Sequence, residues 1–127
     1  MTPFDQHLED LQKLCPGTTA TGLPSGARLI TIPNYDLPAG WNRSRVTILF
    51  VAPPAYPAAQ PDCFWVEPVG MRLTNGTTPQ GTNDSNPIPE VGSRGTWFSW
   101  HLQHWNPNRD SLLSYFKVIE QRFKALR

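Results

Sequence analysis

The sequence predicts an α+β fold formed as one domain by residues 1–127. Amphipathic segments lie near both ends of the chain, and three short segments rich in β-branched and aromatic residues lie between them. A chain of this length has room for one hydrophobic core. The order indicates an N-terminal helix, an antiparallel β-meander, a long loop and a C-terminal helix.

The first predicted element is a short amphipathic helix. Thr2 is a suitable N-cap, and Pro3 is a suitable first helical residue. Apolar side chains then recur at helical spacing at Phe4, Leu8, Leu11 and Cys15. We expect Phe4 and Leu8 to face the core, His7 to be solvated, and the helix to end before Pro16.

Strand composition occurs in three segments, at Ala27 to Ile32, Val46 to Val51 and Cys63 to Val66. The segment from Asn34 to Asn42 is typical of a hairpin turn between the first two strands. Pro53 stops the second strand, because proline cannot donate to a β-ladder.

A long polar loop leads into an aromatic cluster. Residues Pro68 to Gly95 are rich in Gly, Asn, Thr, Ser and Pro, and structureless connections longer than about 12 to 15 residues tend to be functional. Residues Trp97 to Pro107 then hold three of the five tryptophans and two of the three histidines. Imidazoles exchange protons near neutral pH, so this cluster is a candidate site, and a packed strand end is the alternative interpretation.

The last predicted element is a helix for which Asp110 is the expected N-cap. Its apolar stripe consists of Leu112, Leu113, Phe116, Ile119, Phe123 and Leu126. Basic residues toward its C-terminal end suit the helix dipole and indicate a solvated face.

Composition excludes several functional classes. The net charge is +1 with scattered Lys and Arg, so we expect no nucleic-acid partner. No apolar run approaches the roughly 20 residues that span a bilayer, and residues 1–5 lack signal-peptide features, so we expect a cytoplasmic protein without a membrane partner. Cys15 and Cys63 have no Cys or His at metal-ligand spacing, and we expect neither a metal nor a cofactor.

Two proline motifs carry a resemblance to a known family. The segment Val51 to Pro61 resembles the Tyr-Pro turn and following prolines of ubiquitin-conjugating enzymes. Trp105-Asn106-Pro107, before the last helix, resembles the Trp-Ser-Pro segment after that family's active site. The run Tyr56 to Trp65, together with Gln80 to Asn83 and Phe98 to Asp110, is similar to a bacterial branch associated with ubiquitin-like and multi-ubiquitin proteins. The resemblance implies the ubiquitin-conjugating-enzyme-like fold from about Leu29 onward.

The chain departs from this family at the nucleophile. The family's His-Pro-Asn tripeptide is absent. Its cysteine stands about eight residues before the Trp of Trp-x-Pro, which corresponds to Trp97 here. No cysteine occurs between Phe64 and Arg127, so the identity of the nucleophile is open.

Two residues are candidate nucleophiles. A thiolate is strongly nucleophilic and forms a reactive thioester, which favours Cys63, but its strand position also predicts a buried structural thiol. Ser99 lies nearest to the expected segment, and on an extended strand His101 would share its face and act as its base. His104 would do the same only if the chain turns after Leu102.

Neighbouring residues are candidates for binding roles. Asp84 would orient an imidazole or attract a lysine amine, and Asn83 or Asn86 would replace the missing Asn by donating to an oxyanion. Solvation and turn chemistry are the alternative explanations for these three residues. Trp97, Trp100 and His104 are expected to line the binding groove.

The resemblance implies a protein that accepts or positions the C-terminal glycine of a ubiquitin-like protein delivered by an activating-enzyme-like protein. An isopeptidase-like protein would act in the same pathway. The loop Pro68 to Gly95 and the cluster would form the groove for the tail, and the activating enzyme would contact exposed residues of the first helix, Gln6, Glu9 and Lys13. One alternative is a non-catalytic binding module on the same fold. A hydrolase using Ser99 and His101 is another, although no nucleophile elbow is present.

Overall fold

A computed structural model describes residues 2–127. Two helices, α1 (Pro3–Leu14) and α2 (Leu112–Lys124), accompany a six-stranded antiparallel sheet. The strands are β1 (Thr19–Gly22), β2 (Arg28–Asp36), β3 (Arg45–Ala52), β4 (Phe64–Glu67), β5 (Thr82–Asn83) and β6 (Thr96–Phe98). Their order in the sheet is β1-β2-β3-β4-β6-β5. The predicted α+β layout with its antiparallel meander is confirmed.

Helix α1 begins as predicted, with a reciprocal cap at Thr2. The Thr2 hydroxyl accepts a hydrogen bond from the Asp5 backbone N–H, and the Asp5 carboxylate accepts one from the Thr2 backbone, each at 3.1 Å. The prediction for His7 is wrong. Its Nδ1 lies 2.6 Å from the Tyr56 hydroxyl, so this imidazole is joined to the Tyr-Pro turn instead of being surrounded by water.

Helix α2 is capped by Ser111, and the prediction that Asp110 caps it is wrong. The Ser111 hydroxyl accepts from the Ser114 backbone N–H at 3.4 Å. Asp110 is only 8% exposed, and its carboxylate accepts from the Asn106 backbone N–H at 2.8 Å. Asp110 therefore closes the turn after Trp105, which leaves the neighbouring serine to cap the helix.

Three segments expected to be irregular contribute to the sheet, and one of them is the long loop Pro68 to Gly95, in which Thr82–Asn83 forms β5 and pairs with β6. The connection after α1 contains β1, in which Thr19 lies opposite Thr31 of β2. Strand β2 continues past Ile32 to Asp36, through an irregularity at Asn34, where φ is +54°. The predicted hairpin turn is therefore shorter than Asn34 to Asn42, because a strand irregularity absorbs its first residues.

The main core lies between the sheet and the two helices. Alternate residues of the strands point toward the helices, and their side chains pack against the apolar faces of α1 and α2. The fully buried members include Leu11, Ile30, Ile48, Phe50, Phe64, Phe98, Tyr115, Phe116, Ile119 and Phe123. The predicted inward positions of Phe4 and Leu8 are confirmed.

A second, smaller core covers the opposite face of the sheet, which we call the outer face. Leu29, Leu49 and Trp65 point to this side, and Ile88 from the long loop packs onto them with an exposure of 1%. The loop between β4 and β6 is therefore anchored by its own apolar side chain. Among residues 2–127, neither helix has the length and apolar character that crossing a bilayer requires.

Candidate functional site

The ends of β4 and β6 bring the two candidate nucleophiles to neighbouring positions. Phe64 pairs with Phe98, and Trp65 pairs with Trp97. Cys63 directly precedes Phe64 and Ser99 directly follows Phe98, so both candidates lie just outside the same end of the ladder. Cys63 packs against the outer core, whereas Ser99 follows the last residue of β6, where strand alternation no longer fixes the face of its side chain. Strand β4 begins one residue later than predicted, so Cys63 immediately precedes it.

Cys63 is a half-buried free thiol beside a cavity. The cavity has a volume of about 210 Å³, and its walls include Pro53, Trp65 and Pro89. Burial raises the pKa of the Cys63 thiol, a hydrogen-bonding interaction with the Trp97 side chain lowers this pKa, and the charge of Asp62 raises it. The Cys63 sulfur is therefore not fully buried, but the raised pKa keeps this side chain mostly in the thiol form at neutral pH.

Ser99 lies at the point where the chain leaves the sheet. Its side chain is exposed, and its backbone N–H donates to the Gly81 carbonyl at 2.9 Å. Strand β6 ends at Phe98, so the extended segment that would give Ser99 and His101 a common face stops before it reaches them. Within residues 2–127 the two side chains are not hydrogen-bonded, although both line a cavity of about 180 Å³ with Trp100 and Gln103.

His101 lies beside an acidic residue, Asp62, that no sequence motif marks. Its Nδ1 is 3.8 Å from Oδ1 of Asp62, and the two side chains are 47% and 89% exposed. An ion pair at this distance and exposure is weak because water screens it. Asp62 and Cys63 line the same cavity, so the carboxylate that faces the imidazole also lies in the region of the thiol.

The backbone of residues 99–102 is held by three other parts of the chain. The Gly81 carbonyl accepts from Ser99, and the Tyr115 hydroxyl of α2 donates to the Trp100 carbonyl at 2.8 Å. The Gln60 carboxamide donates to the Leu102 carbonyl at 3.1 Å and accepts from the Leu102 N–H at 3.0 Å. No local pattern around Gln60 signals these contacts, since the two residues are 42 positions apart.

The polar loop residues have structural partners. The Asn83 side-chain oxygen accepts from the backbone N–H groups of Ser85 and Asn86, which is turn chemistry. Asp84 pairs with Arg72 at 2.5 Å and accepts from the Thr96 hydroxyl at 2.7 Å. These two hydrogen bonds hold the pKa of Asp84 below its usual value.

The remaining predicted binding residues differ in their surroundings. Trp97 pairs with Asn83 on one side and Trp65 on the other, and it packs against the outer core. Trp100 is partly buried against the main core, with the Arg122 guanidinium 5.7 Å from its ring centroid. His104 is exposed. Across residues 2–127, no group of three or more His, Cys, Asp or Glu side chains has an arrangement suited to a metal ion.

Comparison with known families identifies the class of protein. The sequence pattern of Prokaryotic E2 family E matches residues 18–125, which include the whole sheet and α2. The chain therefore belongs to this prokaryotic E2-like family, and its resemblance to ubiquitin-conjugating enzymes is confirmed at that level. No curated protein and no solved structure gives a significant match to the chain.

Proposed function

We propose that this protein accepts the C-terminus of a bacterial ubiquitin-like protein from an activating-enzyme-like protein in the cytoplasm, and that Cys63 is the acceptor. The observation that carries this proposal is the pairing of Phe64 with Phe98, which brings Cys63 and Ser99, the residues next to them, to the same end of β4 and β6. The family's usual cysteine position corresponds to Trp97 in this segment, so the thiol reaches the same region from the adjacent strand. Membership in a prokaryotic E2-like family supports this chemistry.

The proposed step is an acyl transfer between two sulfur atoms. The Cys63 sulfur attacks the thioester carbonyl that joins the ubiquitin-like tail to a cysteine of the activating enzyme. A new carbon–sulfur bond forms to Cys63, and the bond to the activating enzyme's sulfur breaks. The Cys63 proton passes to the His101 imidazole and then to the departing thiolate, so that the step is neutral overall.

The second step of the proposed function transfers the tail from the Cys63 thioester to an acceptor protein. A lysine amine of the acceptor protein attacks the Cys63 thioester, which forms an amide bond and releases the Cys63 thiol. Asn83 has a side-chain NH2 for the developing oxyanion, while its oxygen is committed to the turn. The tail lies against the cluster formed by Trp97, Trp100 and His104.

The first helix is proposed as the contact for the activating enzyme. Gln6, Glu9 and Lys13 are exposed on α1, as this contact requires. An isopeptidase-like protein is the proposed partner that reverses the conjugation. These partners are inferred from the class of the protein, and each of them is tested by direct binding.

The test is a loading reaction with the activating-enzyme-like protein, ATP and the ubiquitin-like protein, read by mass spectrometry of the intact adduct. Wild type and Ser99→Ala should form an adduct that a thiol reductant removes, and Cys63→Ala should form none. Cys63→Ser should form an oxyester that resists the reductant. The matched control is Cys15→Ser, because Cys15 is also a half-buried free thiol with a raised pKa but lies at the end of α1.

An adduct that survives Cys63→Ala but is lost in Ser99→Ala would transfer the acceptor role to Ser99. Absence of any adduct in the wild type, together with measurable binding of the ubiquitin-like protein, would favour the non-catalytic binding module. The observation that favours this second candidate is the burial that raises the pKa of Cys63. The two candidates therefore give opposite results in the same experiment.

A further inference from the structure

Gln60 makes two hydrogen bonds to a single residue of the aromatic cluster. Its side-chain NH2 donates to the Leu102 carbonyl at 3.1 Å, and its side-chain oxygen accepts from the Leu102 N–H at 3.0 Å. Among the side chains, only a carboxamide offers a fixed donor and a fixed acceptor side by side in this way. Gln60 thus binds the backbone of the cluster much as a neighbouring β-strand would.

These bonds fix the chain on the C-terminal side of His101. Leu102 directly follows His101, and the Tyr115 hydroxyl holds the Trp100 carbonyl on the N-terminal side at 2.8 Å. The His101 backbone is therefore held between two anchors that come from the Tyr-Pro turn and from α2. Residues 99–101 lie outside the helices and strands, so these anchors act where no ladder supports the chain.

The side chain of His101 itself is weakly held. It is 47% exposed, and its nearest charged group is Asp62, at 3.8 Å. A contact at that distance and exposure contributes little to the orientation of the ring. The position of the imidazole relative to Asp62 and to the adjacent Cys63 depends instead on where the backbone is fixed.

We infer that Gln60 is a positioning residue, which holds His101 beside Asp62 so that the imidazole can take the proton of the neighbouring Cys63 thiol. This inference rests on the proposed role of Cys63. Gln60 also lines the cavity beside Cys63, but in this scheme it acts through Leu102 and His101. A displacement of about 1 Å in such a group costs up to roughly 100-fold in rate.

The test measures how fast iodoacetamide alkylates Cys63 at pH 7, by mass spectrometry of the Cys63 peptide in the full chain. The proteins compared are wild type, Gln60→Ala, His101→Ala and the double variant. Gln60→Ala should slow the reaction at Cys63 about 10-fold or more, as His101→Ala does. If Gln60 acts only through His101, the double variant should be no slower than His101→Ala. The matched control is Gln121→Ala, an exposed glutamine of α2, and it should react like wild type.

Either of two results would overturn the inference. One is a Gln60→Ala rate equal to wild type. The other is a double variant slower than His101→Ala by the full factor of Gln60→Ala, which would mean that Gln60 acts independently of the imidazole. Gln60→Glu provides a second variant if Gln60→Ala unfolds, because a carboxylate still accepts from the Leu102 N–H but cannot donate to its carbonyl.

Alkylation requires no partner, so this experiment stays separate from the loading test. A protein that fails to load but shows the predicted non-additive alkylation rates would contradict the transferase proposal and retain the role of Gln60. A protein that loads normally but shows independent effects of Gln60 and His101 would contradict the role of Gln60 and retain the transferase proposal.

Discussion

Phe64 and Phe98 are stacked face to face across adjacent strands, with ring centroids 4.8 Å apart and an angle of 11° between their planes. Both side chains are fully buried on the helix side of the sheet. The positions next to them, Cys63 and Ser99, are the two candidate nucleophiles. The stacked pair therefore fixes the register of the strands at the point where the candidate site begins.

Removal of one ring of this pair should destabilise the whole fold. Phe98→Ala is expected to lower the free energy of unfolding by about 3–5 kcal/mol, because it leaves a cavity among Phe64, Trp41 and Phe123. Urea denaturation measures the loss. Val69→Ala is a suitable control, since Val69 is 53% exposed and should change stability by less than about 0.5 kcal/mol. Equal effects of the two substitutions would contradict this role for Phe98.

Gly95 and Gly76 form a matched pair for substitution by alanine. Both have a positive φ, +74° for Gly95 and +86° for Gly76. A Cβ at Gly95 would collide with the backbone carbonyl of Val66, whereas nothing lies within 4 Å of one at Gly76. Gly76→Ala should cost about 1–2 kcal/mol through its backbone conformation alone, and Gly95→Ala roughly 3 kcal/mol or more. Thermal unfolding of both variants measures this difference in stability. Equal losses in the two variants would contradict the close contact between Gly95 and the Val66 carbonyl of β4.

The cap of α2 is testable at single amides. Ser111→Ala should increase hydrogen exchange at the Ser114 amide and lower the free energy of unfolding by about 1 kcal/mol. Asp110→Ala should instead increase exchange at the Asn106 amide, since its carboxylate accepts from that group. The reverse pattern would mean that Asp110 caps the helix.

The reactivity of Cys63 should depend on pH in a way that Trp97 controls. Burial holds the pKa of Cys63 above the usual thiol value, and the Trp97 side chain partly offsets this. The alkylation rate should therefore keep rising through pH 8.5 and above, because only the thiolate reacts. Trp97→Phe removes the indole N–H, so the pKa should increase and the profile should move to higher pH.

Trp65→Phe is the matched control for that experiment. Trp65 lies on the same outer face, but its indole N–H donates to the Asn86 carbonyl at 2.9 Å instead of interacting with the thiol. Its pH profile for alkylation of Cys63 should stay close to that of wild type. A shift of the same size in both variants would attribute the effect to lost packing and not to the indole N–H of Trp97.

The elements with regular patterns were predictable from sequence. The periodic apolar residues of α1 and α2 and the β-branched segments of β2 and β3 identify their elements, because each face of a helix or strand repeats at a fixed spacing. Strand β1 gave no such signal, since the sequence Thr19-Ala20-Thr21-Gly22 is mostly exposed and pairs only at the sheet edge. The cap of α2 was misassigned because Asp110 and Ser111 are adjacent and equally suitable, and only the turn at Asn106 decides between them.

The candidate site was only partly predictable, because its geometry depends on contacts between segments that are distant in the sequence. The cluster from Trp97 to Trp105 stands out by composition, and its neighbourhood with Cys63 follows from a strand pairing that local sequence does not specify. Gln60 and Asp62 are ordinary turn residues in the sequence. Their relation to Leu102 and His101 appears only when segments about 40 residues apart meet.

The anchoring of the long loop by Ile88 affects how other proteins can approach the sheet. Ile88 is fully buried on Leu29, Leu49 and Trp65, and the Glu90 carboxylate next to this turn accepts hydrogen bonds from the Ser25 backbone and hydroxyl at 2.9 and 2.6 Å. A partner that docks over these residues must first extract the isoleucine, which costs about 1.5–3 kcal/mol before any new contact forms. The loop therefore occupies the outer face of the sheet, and a partner can bind there only if its new contacts offset the cost of removing Ile88 from the outer core.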